Sequence, residues 1–174
     1  MPKGNLCDRL LNMEAKKPTV YIETTVPNYV FNDNYLDEQE VAKLVFEAID
    51  KDIVKGFVSV VVEDELERAP AELCSKLTTL LKNCERLEVT EEVIKLVERY
   101  IREGAFPKSK PADATHVAVA SFHGIDYIFS WNFRHIVRES TIRKVTAVNE
   151  LLGYQTPKIV NPEEVIFDVL ERES

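Results

Sequence analysis

Apolar residues return along this chain in two alternating rhythms. Short, nearly continuous runs rich in valine, isoleucine and aromatics occur at Thr19–Ile22, Phe57–Val62, Leu87–Val89, Tyr127–Trp131 and Lys158–Val160. Between them, apolar side chains recur every three or four positions. The first pattern suits strands buried on both faces of a parallel sheet, and the second suits amphipathic helices. Val41, Leu44, Val45, Ala48 and Ile49 predict a helix that Asp37 can cap and Gly56 stops, after a turn at Pro27-Asn28. A short acidic helix should follow Val62 and end near Pro70. Leu73, Leu77, Leu80 and Leu81 mark a further helix, and a capping box at Thr90 starts another that runs to Gly104. Pro111 suits the first turn of a helix over 112–122 that Gly124 closes. Residues 143–152 and the stretch after Pro162 complete the series. Strands alternating with helices, without an internal repeat, predict an α/β fold: a three-layer α/β/α sandwich around a mostly parallel sheet. One domain is expected over residues 19–166, with an N-terminal extension over 1–18 and, over 167–174, the end of the last helix and a tail.

Composition narrows the class. The chain has 174 residues, 45% of them hydrophobic, and a formal net charge of −8, which suits one soluble globular domain. That charge excludes a protein that coats nucleic acid by bulk positive charge, so any polyanion must be held locally. Cys7, Cys74 and Cys84 are odd in number and lack CxxC spacing, which predicts neither a disulfide framework nor a zinc site and fits a reducing cytoplasm. The first eighteen residues are too short and too interrupted for a membrane span, so no membrane association is expected. Leu6, Leu10, Leu11 and Met13 leave open a helix that binds a partner or braces a dimer.

The chemistry lies at the strand ends. Four apolar runs deliver an oxygen-bearing side chain at or just beyond their end: Glu23, the acids Glu63, Asp64 and Glu65, Asp113 and Asn132. In parallel α/β sheets, ligands collect outside the carboxyl ends of the strands, where the crossover direction changes. Carboxylates gathered there repel by about 4 kcal/mol per pair at an effective dielectric near 20, so a cluster of three requires a cation or protons. Each acid also has a plainer reading. Glu23 can solvate a strand edge, Glu65 and Asp113 can stabilise a helix N-terminus, and Ser130 and Asn132 are ordinary turn residues.

Three segments occur in a telling order: Tyr21-Ile22-Glu23-Thr24-Thr25-Val26-Pro27-Asn28-Tyr29, Ala112-Asp113-Ala114-Thr115-His116, and Tyr127-Ile128-Phe129-Ser130-Trp131-Asn132. Together they resemble a PIN domain, close to the VapC-like toxins of toxin–antitoxin pairs, over about Thr19 to Ile166. The resemblance implies a ribonuclease that uses Mg²⁺ or Mn²⁺ to hydrolyse RNA phosphodiesters. Glu23, Glu65 and Asp113 match the acids that hold the metal, Asn132 falls at the fourth catalytic position, and Ser130 matches the small hydroxyl residue before it. It also implies a small antitoxin as partner and a homodimer. Two positions depart from the all-aspartate pattern: Glu23 reaches one methylene further, and Asn132 keeps an oxygen but loses a charge. A subgroup with Glu-Thr-Thr-x-Pro and Trp-Asn forms shares both features.

Positive charge flanks these positions in sequence. Lys108 and Lys110 precede Asp113, and Arg134, Arg138, Arg143 and Lys144 follow Asn132. With Ser130, Arg134, Lys108 and Lys110 as RNA contacts, an acidic protein could hold a phosphate backbone beside its metal. His116 and His123 lack zinc-binding spacing, so packing or surface roles are expected of them. The departures at positions 23 and 132 keep a second reading open, a catalytically weak module that binds RNA or protein. A phosphoacceptor receiver is disfavoured, because the first strand carries no DxD motif.

Overall fold

The computed structural model describes residues 16–172. Most of the expected N-terminal extension, including the Leu6–Met13 stretch, lies outside them. Five strands form one sheet in the order β3-β2-β1-β4-β5: β1 (Thr19–Ile22), β2 (Lys55–Ser59), β3 (Glu85–Leu87), β4 (Tyr127–Phe129) and β5 (Lys158–Val160). Every pairing is parallel, so the sheet is wholly rather than mostly so. Eight α-helices flank it among the described residues: α1 (Thr25–Tyr29), α2 (Leu36–Asp50), α3 (Val60–Leu66), α4 (Ala71–Leu80), α5 (Glu91–Arg102), α6 (Pro111–Phe122), α7 (Glu139–Leu152) and α8 (Glu163–Arg172). Helix α2 packs on α8, while α5 packs on α6 and α7, giving the α/β/α sandwich.

Sheet order decides where a site can form. The chain moves from β1 to β2 on one side and returns to pair β4 on the other, so the switch point lies beyond the carboxyl ends of β1 and β4. Tyr21, Ile22, Ile128 and Phe129 are all buried there, which makes the floor of that crevice rigid. Helix α6 approaches as closely as it does because its packed faces carry Ala114, Ala118 and Ala120, all fully buried.

The differences from the sequence reading lie at element ends. The run Phe57–Val62 divides: β2 stops at Ser59, and Val60–Val62 form the first turn of α3, whose Val62 and Leu66, four apart, face the core. Pro27-Asn28 belongs to the short helix α1 rather than a turn. Helix α2 begins before Asp37, which sits in its first turn, and ends at Asp50. Gly56 lies inside β2, where a Cβ would come within 2.7 Å of Ile49 Cδ1, so it permits close packing and stops nothing. Strand β3 is two residues earlier than its apolar signal, because this edge strand is largely exposed and its pattern carries little of the core's imprint. As expected, Thr90 caps α5 by accepting from the Val93 amide, Pro111 opens α6, and Gly104 and Gly124 take positive φ after the helices they follow.

Candidate metal centre

Glu23 follows β1 directly, with its amide still bonded to Phe129 O at 3.1 Å, so the sheet itself sets its position. Only 4% of the residue is exposed. Its Oε2 accepts from the Thr25 amide at 3.2 Å, the Thr25 hydroxyl at 2.6 Å and the Ser130 hydroxyl at 2.7 Å. The Thr25 hydroxyl in turn accepts from the Trp131 amide at 2.8 Å, which ties the end of β4 to the start of α1.

Glu65 comes from the last turn of α3. Its Oε2 accepts from the Thr24 hydroxyl and pairs with His116 Nε2 at 3.1 Å. Its neighbours are occupied elsewhere: Glu63 pairs with Arg86 at 3.2 Å, and Asp64 is exposed. Geometry thus selects one acid of three that sequence left side by side.

His116, on α6, is fully buried. Its Nδ1 meets the Tyr21 hydroxyl at 2.8 Å, and that hydroxyl meets Ser59 Oγ at 2.7 Å. Burial alone would lower the imidazolium pKa, but the bond to Glu65 and the charges of Glu23, Glu65 and Asp113 raise it on balance. Burial would likewise raise the Glu65 carboxyl; the bond and charge of His116, then Thr24 and Arg68, hold it below its ordinary value. Both shifts favour the charged form of the pair. Tyr21, fully buried, is raised by desolvation and keeps its proton.

Asp113 lies one turn before His116 on α6. Its Oδ1 accepts from Asn132 Nδ2 at 3.2 Å, while Oδ2 is buried and has no hydrogen-bond partner. Burial raises its pKa, opposed by His135, His116 and Lys110 and reinforced by repulsion from Glu65. Asn132 is held from both ends: its amide donates to Ser130 Oγ at 2.9 Å, and its Oδ1 accepts from the His135 amide at 3.0 Å. A hydrogen-bonded chain therefore runs from Glu23 through Ser130 and Asn132 to Asp113.

The structure thus brings Glu23, Glu65, Asp113, Ser130 and Asn132 together. Ligand-capable atoms of Glu23, Glu65 and His116 lie within 4.8 Å of one another. At that separation two carboxylates repel by about 3–4 kcal/mol at an effective dielectric of about 20. Each of Glu23, Glu65 and Asp113 is anchored through one oxygen, and the other has no hydrogen-bond partner among the described residues. Asp113 is not among the groups within 4.8 Å of one another; it is tied to them through Asn132 and Ser130, and unpartnered carboxylate oxygens such as those of Glu23 and Glu65 are what a hard cation such as Mg²⁺ or Mn²⁺ takes up. His116 has both nitrogens engaged, so it suits a clamp and counter-charge better than a ligand.

No protein-family model matches this chain, and no curated protein matches it significantly, so the chemistry of the site rests on these residues. Two expectations change. Ser130 is 0% exposed with its hydroxyl engaged on both sides, so it positions Glu23 and cannot touch RNA. His116 is no mere packing residue; its signal was its position one turn after Asp113, on the same helical face. Thr25 had only its place in the Glu-Thr-Thr-x-Pro motif as a signal, and Ser59 had none. Lys108 and Arg134 lie exposed outside the cluster, and Lys110, beside α6, is close enough for its charge to act on Asp113. Asp126 bonds the Thr19 amide and hydroxyl at the opposite end of the sheet, as a structural residue would.

Proposed function

We propose that this protein is a metal-dependent endoribonuclease of the PIN type, acting as the toxin of a toxin–antitoxin pair. One observation carries the reading: Glu23 and Glu65, from separate segments, bring carboxylate oxygens within 4.8 Å of each other and of His116 beyond the strand ends of a parallel sheet, with Asp113 tied to Glu23 through Asn132 and Ser130. Glu23, Glu65 and Asp113 would hold Mg²⁺ or Mn²⁺. When bound, such an ion supplies electrophilic charge to a phosphoryl group and acidifies water. The rest is done by the chain. Ser130 and Thr25 fix the direction of Glu23, His116 and Thr24 fix Glu65, and Asn132 holds Asp113 through its Oδ1. Glu65, less enclosed than Glu23, is placed to orient an attacking water. The order of motifs from Glu23 to Asn132 supports the family reading, and with it a small antitoxin that covers the acidic groove, a homodimer and a cytoplasmic setting. No helix among the described residues is long and apolar enough to cross a membrane.

Asp113→Asn tests the proposal. It should abolish calorimetric Mn²⁺ binding and reduce cleavage of single-stranded RNA at least about 100-fold, as loss of one charged metal ligand implies, while the circular dichroism spectrum is kept. The second reading, a binding module, draws support from Asn132, which donates to Asp113 where a fourth acid would add charge. RNA that stays intact in saturating Mn²⁺ with folded wild-type protein would favour it.

A further inference from the structure

Beside the carboxylates lies a cleft of a different character. About 350 Å³ in volume, it opens between the loop at Gly104–Pro107 and the start of α7. Arg134, His135, Arg138 and Lys144 line it, with the hydroxyl residues Ser140 and Thr141, and no acidic side chain is among its lining residues. In a chain of net charge −8 that is a local reversal of sign. Neither Arg134 nor Arg138 forms a salt bridge to any described residue, and both are exposed. Lys144 Nζ donates to Gly104 O at 2.8 Å, and Thr141 Oγ1 donates to Ala105 O at 3.3 Å, so the two walls are stitched together.

The cleft has a second source of positive potential. Helix α7 has 14 residues, and the amides of Glu139, Ser140 and Thr141 in its first turn have no intrahelical acceptor. They face the end where the helix dipole is positive, which favours an anion. Arg138 is the N-cap residue of that helix, so its guanidinium stands at the same end as the amides; the Glu139 carboxylate is also in this first turn but does not line the cleft.

Position relative to the carboxylates decides what kind of anion fits. His135 both lines the cleft and lies near enough to Asp113 for its charge to act there, and the His135 amide is held by Asn132 Oδ1. His135 thus links the cleft to the surroundings of Asp113. Phe106 belongs to the lining but is only 2% exposed and offers little face for stacking, whereas the rest of the lining supplies charge, hydroxyls and amides that recognise phosphate oxygens.

We infer that the cleft formed by Arg134, His135, Arg138, Lys144 and the first turn of α7 binds a phosphate of a single-stranded RNA backbone, next to the one at the carboxylates. The inference rests on the nuclease reading for its direction but not for its test. Full-length protein is titrated into a fluorescein-labelled oligouridine 12-mer in EDTA, which removes divalent metal, and anisotropy is followed between low and moderate salt. Arg138→Glu and Arg134→Glu should each weaken binding about tenfold or more and lower the log–log salt slope by about 0.7 for each phosphate that is no longer neutralised. Lys43→Glu, on the distant helix α2, should change neither. Thermal melting of each variant shows that it is folded, and the milder Arg138→Gln should weaken binding by a smaller factor.

Inorganic phosphate is titrated as the second arm. Displacement of RNA only above tens of millimolar supports a backbone site. A cleft that saturates with inorganic phosphate at low millimolar while Arg138→Glu leaves RNA affinity intact binds a free anion, and overturns the backbone assignment. Unchanged RNA affinity and salt slope in folded Arg134→Glu and Arg138→Glu overturn the inference altogether. Cleavage assays of the wild-type protein in saturating Mn²⁺ separate the two proposals: RNA binding that depends on Arg138 in folded wild-type protein that leaves RNA intact would sustain the cleft and defeat the nuclease.

Discussion

Ser130 shows how much one small side chain holds. Its hydroxyl donates to Glu23 and accepts from the Asn132 amide, in a position that is fully buried. Ser130→Ala leaves a buried carboxylate oxygen short of a donor and an amide without an acceptor. The expected cost is about 2–3 kcal/mol in urea unfolding, at the upper end for a hydrogen-bond deletion because a charged group is involved. Glu23→Asp tests the same contacts from the other side. A carboxylate one methylene shorter cannot keep its bonds to Ser130 and Thr25 and still present an oxygen to Glu65, so calorimetric Mn²⁺ affinity should fall at least about tenfold, or about 1.4 kcal/mol. Glu23 was legible in the sequence because an acid ending an apolar strand is conspicuous, whereas Glu65 and Asp113, both on helices, were legible only through the order of the motifs. The residues that orient them were not. Thr25, Ser59 and Tyr21 look like ordinary strand and turn residues, and only tertiary contact turns their hydroxyls toward Glu23 and His116.

Elements tell a similar story about what local pattern can carry. Helices with one wet face, such as α5, could be read closely, since Thr90 and the apolar stripe from Val93 to Tyr100 leave little choice. The junction of β2 and α3 could not. Val58, Val60, Val61 and Val62 belong to one apolar run, and β-branched residues suit a strand as well as a buried first helical turn. What separates them is that Val62 and Leu66 must both reach the core, a demand set by neighbouring elements. Gly56 illustrates the same limit: it resembles a helix stop, yet its role is to admit Ile49. Gly56→Ala should destabilise the protein by about 1–3 kcal/mol through overpacking. Pairing it with Ile49→Val, which removes the nearest clashing atom, should recover part of that loss in the same denaturant titration.

At the scale of the whole molecule, the buried Tyr100 and the half-buried Cys84, away from the candidate metal centre, link stability to alkaline pH. Burial pushes the Cys84 thiol up from 9.0 to about 12, helped by Asp50. Burial also pushes the Tyr100 phenol up from 10.0 to about 12, opposed by bonds to Ser121 and Asn149. Both stay protonated in the folded chain at pH values where the unfolded chain has begun to ionise. Their contribution is complete below about pH 9 and is lost as the pH climbs toward 12. The urea midpoint should therefore drop between pH 8 and pH 10.5, and Cys84→Ala should flatten that drop. The sheet topology has a consequence in time as well as in space. The strand bearing Glu23 is made first, yet it stands between β2 and β4, and the bond from Ser130 that orients Glu23 spans 107 residues of chain. Such long-range closure is slow to form. A growing chain emerging from the ribosome thus lacks a complete centre until residues beyond 132 have been synthesised.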